Sequence, residues 1–372
     1  MHTNMTICDA KPEHVPAIAA LEGICFPADP WPEEIIARHI ERFLTAWEGE
    51  ELLGYAALVG CSPYFLMPYS DGTALIIPIA LIWLYDRTGR FRTAGQVAVM
   101  ALIGLLGALG YLIKPQSCIP LIAVAMCEVA ALVRGGLPRG RFAGRIAAAL
   151  LAVTVMLVPV RGAIMEGLKI DADSQRELGV AHFLNMGLSD RTDGVFDEAD
   201  EYDALQIEDK GERARASIAS AIARVRAFGP AGLAKHALKK ALTNFADGGF
   251  AWGLDFARND LPPKNELSSV IRGVVYHDGE TYRYLHTFEQ LVWLLVLMVS
   301  PFAVLILRGT QQEEKRTLCA MLLSVVGIVC FNMLFEARAR YVYVMVPIML
   351  SLWALALSSL WAAGTGKMCK RD

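Results

Sequence analysis

The sequence lacks a surplus of either charge. Its 35 basic and 38 acidic side chains leave a net charge of −3. A nucleic-acid partner would call for a basic excess to meet the phosphates, so none is expected. It lacks clustered cysteines too. Cys8, Cys25, Cys61, Cys118, Cys127, Cys319, Cys330 and Cys369 include no CxxC pair, and four of the eight lie in apolar runs. Disulfide frameworks and zinc sites need close, regular spacing, so these read as buried thiols. His182, His236, His277 and His286 show no metal-ligand spacing either. No metal and no cofactor is expected. The first fifty residues carry acids throughout and no continuous apolar core, which excludes a signal-peptide reading. Paired broken helices and inverted repeats are missing, so a transporter gains no support.

What is present is apolar sequence in blocks. Hydrophobic residues make up 55% of the 372 residues, and mean hydropathy is +0.39. Soluble chains run at about 45–50% apolar. Three runs, Ala94–Leu112, Ser117–Val133 and Ile146–Met165, each approach the roughly 17–25 residues of a membrane-crossing helix. A run from Phe65 to Tyr85 precedes them, and Thr287–Leu307, Thr317–Phe335 and Tyr341–Ala362 follow. The expectation is an all-α polytopic membrane protein of about seven transmembrane helices, with a small α/β N-terminal fragment and an extracytoplasmic helical insert.

Orientation follows from the arginines. The loop Arg134–Arg145 carries four of them (134, 139, 141, 145) and no acid. Short loops that basic stay on the cytoplasmic side. The loop 86–92, the stretch Arg308–Arg316 and the basic tail then fall inside, and residues 166–286 fall outside. In that outer region 208–228 and 230–245 read as amphipathic helices, with Leu233, Ala237, Ala241 and Phe245 as one core stripe. Domains are expected at 1–60, 61–165, 166–286 and 287–372, in a multi-pass protein of the cell membrane. Within the spans, Glu128 is placed to reach the cytoplasmic arginines.

The groups expected at the outer face carry the function. Asp71 sits in an aromatic-proline cluster with Tyr69, at the mouth of the first run. Lys114-Pro115 ends the second. Glu336-Ala-Arg338-Ala-Arg340 lies between the last two, against the positive-inside trend. Guanidinium meets phosphate bidentately, so Arg338 and Arg340 are suited to a lipid phosphate. The loop from Asp247 to Gly253, with Trp252, offers a glycine-aromatic surface of the kind that receives sugar rings.

Two resemblances sharpen these expectations. Pro68-Tyr69-Ser70-Asp71, Gly110–Pro115, His182–Leu188, Lys240 with Asp247–Gly253, and Leu334–Tyr341, in that order, resemble the C-terminal portion of a GT-C-type, family-39-like membrane glycosyltransferase, over about 63–362. The resemblance implies transfer of a sugar from a polyprenyl-phosphate donor at the extracytoplasmic face. The family places its main acid in an outer loop after its first helix, which has no counterpart here, so Asp71 is the best remaining catalytic carboxylate, and Tyr69, Lys114, Trp252, Arg338 and Arg340 are expected to bind substrate. Such transfer needs a carboxylate to take the acceptor's proton and cations to stabilise the departing phosphate. The partners implied are a lipid-linked sugar donor and the membrane.

Ahead of this lies a second pattern. Asp9, Pro12 and the spacing of Val15, Ile18, Leu21 and Ile24 predict a helix, with a second from Trp31 and strands at Phe43–Trp47 and Leu52–Leu58. Ala19-Leu21-Glu22, Cys25–Trp31 and Leu53–Ala56 resemble the opening of a GNAT acetyltransferase of the ribosomal-protein-alanine branch. The implied alternative function is N-terminal acetylation. The family's phosphate-cradling turn, which would rest acetyl-CoA on a helix N-terminus, does not follow the hairpin. A non-enzymatic membrane protein is the third reading.

Overall fold

In the computed structural model, residues 5–9, 11–25, 33–38, 43–48, 51–57, 73–169, 178–248, 250, 266, 269–270, 273, 279–308 and 312–364 are described. The chain divides into two compact units. One comprises residues 1–70 and 253–283, the other residues 71–252 and 284–372.

In the first unit three short strands, β1 (Met5–Asp9), β2 (Phe43–Glu48) and β3 (Glu51–Ala57), pair antiparallel in the order 1-2-3. Helix α1 (Val15–Cys25) follows a turn opened by Pro12, and packs on β3 and on α2 (Glu33–Arg38). Ile18 and Ile36 are fully buried there.

The second unit is helical throughout its described residues. Its helices are α3 (Ile76–Thr88), α4 (Thr93–Ile113), α5 (Ile119–Val133), α6 (Arg139–Val155), α7 (Arg161–Gly167), α8 (Gly179–Met186), α9 (Glu198–Leu205), α10 (Lys210–Phe245), α11 (Tyr282–Val299), α12 (Gln312–Leu334) and α13 (Val346–Gly364). Among the described residues six helical segments are long and apolar enough to cross a membrane: Thr93–Ile113, Pro115–Val133, Arg139–Gly167, Gln290–Leu307, Glu314–Leu334 and Ala339–Leu357. These correspond to six of the seven expected runs. The remaining one begins on residues outside the described set, and its described part is α3.

Local chemistry sets the breaks. Pro115 and Pro120 stand at the starts of the 3-10 turn Pro115–Cys118 and of α5, where a missing N–H costs nothing. Pro159 lies within a π turn, Met156–Val160, which joins α6 to α7. A proline there removes a ladder hydrogen bond, and the wider turn absorbs it. Helices α4 and α6 approach so closely that a Cβ on Gly104 would collide with the Ala149 carbonyl. Small residues permit such crossings where lipid offers no hydrophobic drive between helices.

The core runs through Leu81, Met100, Ile103, Ile328, Met345 and Ile348, all nearly or fully buried. Around it Val133, Leu150, Leu151, Val158, Leu295, Met298 and Val326 face outward and exposed. So much apolar surface on span-length helices is what lipid covers.

The spans have two distinct ends. At the basic end Arg316 donates to the Gly136 carbonyl at 3.4 Å, and Thr317 donates to Asp86 at 3.2 Å. The loops after α3 and α5 and the start of α12 therefore meet. Near this end Glu128 accepts from Arg145 Nη2 at 3.0 Å and from the Tyr85 hydroxyl at 3.0 Å. Glu128 thus reaches an arginine of the basic loop, as its position in the sequence suggested.

At the other end α8, α9 and α10 form a polar module. Asp209 caps α10, accepting from the Glu212 N–H at 2.7 Å. The helix bends at Gly229, which takes φ 58° ahead of Pro230, so 210–228 and 230–245 run as two pieces. Asp200 receives both terminal nitrogens of Arg224, each at 2.6 Å. In the second piece the buried side is polar. His236, Lys240 and Asn244 are buried, whereas the expected core stripe of Leu233, Ala237, Ala241 and Phe245 is only half-buried. The expectation is corrected because this face meets the carbonyl-rich ends of other helices.

Candidate functional site

The end of the spans bearing the module collects the polar side chains that belong to no ordinary core. Lys240 is fully buried, and its Nζ donates to three carbonyls: Gly187 at 2.7 Å, Met333 at 3.0 Å and Phe335 at 2.6 Å. Helix C-termini leave carbonyls unpaired and carry a partial negative charge, so an ammonium closes the ends of α8 and α12 together. Burial pushes the Lys240 amine down to about 8, and the nearby Glu336 charge pulls the other way. His236 Nε2 lies 3.0 Å from the same Gly187 carbonyl. Only glycine fits at 187, where a Cβ would stand 2.6 Å from the Leu334 and Phe335 carbonyls. Asn244 accepts from the Arg338 backbone N–H at 2.8 Å. These contacts hold the segment 335–341 in place.

On that scaffold two of the expected cations converge. Lys114 Nζ lies 4.9 Å from the centroid of the Tyr341 ring, and the Arg340 guanidinium lies 5.6 Å from it. An aromatic face attracts a cation through its quadrupole and spaces two of them at a defined separation. The Tyr341 hydroxyl donates to Glu336 at 2.8 Å. Glu336 is buried, as is Lys114. Arg338 is half-buried at the start of the 3-10 turn Ala339–Met345. The turn Pro115–Cys118, next to Lys114, packs against that 3-10 turn.

Several buried polar atoms at this end have no hydrogen-bond partner among the described residues: Gln116 Oε1, Ser117 Oγ, and both amide atoms of Asn332. Buried polar groups are almost always paired, so such a set is where water or a ligand group belongs. None of these residues was singled out from the sequence. Asn332 carried a signal, a polar amide in a membrane run. Gln116 and Ser117 carried none, because only the turn after Pro115 buries them.

An apolar groove of about 530 Å³ adjoins this region, between α8, the two pieces of α10 and the end of α12. Ile218, Ile222, Leu233 and Leu334 line it, and His236 forms part of its wall. Close by, Phe250 packs edge-on against Trp293 at 4.9 Å and Tyr343 at 5.3 Å, and the Gly248 N–H donates to Gln290 at 2.7 Å. The glycine-aromatic loop thus begins on α11. Asp71, Tyr69 and Trp252 lie outside the described residues. Among the described residues no group of histidines, cysteines and acids has the arrangement of a metal site.

No curated protein and no solved structure matches the chain. One family, described as conserved hypothetical integral membrane protein, matches residues 53–361. That range takes in the six candidate spans and the polar module, and leaves the first 52 residues, with most of the GNAT-like pattern, outside. With span-length apolar helices, lipid-facing side chains and a match over most of its length, the chain belongs to the family of conserved hypothetical integral membrane proteins.

Proposed function

We propose that the protein is a membrane glycosyltransferase that takes a sugar from a polyprenyl-phosphate donor at the non-cytoplasmic face. The observation that carries this reading is the convergence of Lys114 and Arg340 on one tyrosine ring, next to buried Glu336, at the end opposite the basic loops. A departing lipid phosphate needs cations held close to the leaving oxygen, where they stabilise its developing charge. The adjoining apolar groove suits the first isoprene units of the donor. The unpaired polar atoms of Gln116, Ser117 and Asn332 suit sugar hydroxyls. In this reading Asp71 takes the acceptor's proton in place of the family's acid, whose loop has no counterpart here, with Tyr69 and Trp252 against the sugar.

The test is direct. Protein in lipid nanodiscs is incubated with radiolabelled polyprenyl-phosphate sugars, and both thermal protection and release of polyprenyl phosphate are followed. Wild type is expected to be protected and to turn over. Lys114→Ala and Arg340→Ala should each lose protection by the donor about tenfold, the weight of one charge-assisted hydrogen bond. Absence of protection by any donor, with the variants behaving as wild type, would overturn the proposal.

A further inference from the structure

The basic end of the spans holds a second cavity, of about 280 Å³, which the sugar-transfer reading does not use. Three guanidinium groups line it: Arg141 and Arg145 from α6 and Arg316 from α12. Arg141 and Arg145 stand four residues apart, so both fall on one face of the helix. Arg316 comes from a helix 171 positions further on, held by its bond to the Gly136 carbonyl. Tyr85, Asp86 and Gln96 complete the polar wall.

The charges do not cancel. Arg145 is buried and gives one nitrogen to Glu128, which the Tyr85 hydroxyl also reaches. Its Nε is buried with no acceptor among the described residues. Asp86, the acid of the wall, is already engaged by the Thr317 hydroxyl and lies within 4 Å of Arg87 and Arg90. Arg141 and Arg316 form no ion pair among the described residues. Across this partly open cavity Arg141 and Arg316, which pair with no acid among the described residues, repel one another unless an anion enters. An internal ion pair would need Arg145 alone.

We infer that this cavity is a phosphate-binding site, filled by the phosphate of an anionic lipid headgroup or by free phosphate. Tetrahedral oxyanions offer three or four oxygens to planar forks, which a carboxylate with two cannot match. The volume sits just below the roughly 300–1,000 Å³ of small-molecule sites. That volume is enough for a phosphate with a glycerol-sized attachment.

The experiment uses the full chain with Arg141→Ala and Arg316→Ala combined. Neither residue pairs with Glu128, so the buried ion pair stays intact. In phosphatidylcholine nanodiscs, thermal unfolding is titrated with inorganic phosphate against chloride at equal ionic strength. In parallel, native mass spectrometry counts phosphatidylglycerol retained by the purified protein. Free phosphate as occupant predicts a saturable shift in wild type that weakens about tenfold or more in the double variant. A lipid headgroup predicts retained phosphatidylglycerol in wild type, lost in the variant, with no response to the ion. Arg141→Lys with Arg316→Lys keeps the charge but loses the fork, and should recover only part of either signal. Wild type responding in neither arm, or the alanine variant matching it in both, overturns the inference. Lys114 and Arg340 are untouched, so sugar transfer stands or falls separately.

Discussion

Arg145 and Lys240 are both buried cations, near opposite ends of α12, and they are satisfied in different ways. Arg145 faces a carboxylate, Glu128, at 3.0 Å. Lys240 faces three backbone carbonyls and touches no acid within salt-bridge distance among the described residues. The first is a charge matched by a charge in the depth of the spans. The second is a charge matched by dipoles at helix ends. An ion pair fails when one partner is removed, because the other is stranded. A dipole cage degrades more gently, because each carbonyl turns to water at a smaller cost. The cage also joins separate chain segments: α8, α10 and α12 meet at one nitrogen.

The largest effect expected from breaking this comparison is at Arg145. Arg145→Ala leaves Glu128 buried with only the Tyr85 hydroxyl, and should cost about 3–5 kcal/mol. Unfolding in mixed micelles measures it. Combining it with Glu128→Gln should return most of the loss, since no stranded charge remains. A single variant as stable as wild type would show that the buried pair contributes nothing to stability.

Lys240→Met comes next, at about 2–3 kcal/mol, the cost of unmet carbonyls at two helix ends. Its signature is pH dependence. The amine sits at about 8 when folded, below its ordinary value. Between that value and the ordinary lysine range near 10.4, the unfolded chain holds a proton the folded one has released. Stability of wild type relative to Lys240→Met should therefore rise as pH climbs from about 8 toward 10. Thermal unfolding across that range reads the difference. A flat difference would mean that the three carbonyls hold the ammonium throughout.

The smallest effect is at His182 on α8. It is fully buried, and neither ring nitrogen has a hydrogen-bond partner among the described residues. Burial depresses its pKa; Asp200 opposes this, while Arg213 and Arg224 reinforce it. The unfolded chain then takes up the proton first on acidification. Stability should fall as pH drops below the ordinary histidine value near 6.5, by less than about 1 kcal/mol at pH 5.5. His182→Asn should flatten that slope.

Much of the fold is legible in the sequence. Six of the apolar runs are span-length helical segments, the break at Gly229-Pro230 is a bend, and Glu128 meets an arginine from the basic loop. The stripe on α10 was misread because Leu233, Ala237, Ala241 and Phe245 are the apolar choice, and periodicity counts only apolar residues. Its buried face is His236, Lys240 and Asn244, and it is polar because it packs on helix ends that present carbonyls. Of the expected site residues, Lys114 and Arg340 meet on Tyr341, and Arg338 is anchored through its backbone by Asn244. Tyr341 and Glu336 lie within the same motif, yet nothing in the linear order shows that two cations would converge on that ring.

By itself the sequence determined that the chain is an integral membrane protein and which stretches are long and apolar enough to cross a bilayer. The thickness of hydrocarbon and the lack of water inside it dictate helix length and composition residue by residue. Only the tertiary structure decided which polar groups share a site. Lys240 is nearly a hundred positions from two of the carbonyls it closes, and Arg316 is farther still from the arginines it joins. Such meetings depend on how helices cross, which small residues such as Gly104 and Gly187 permit by letting backbones touch.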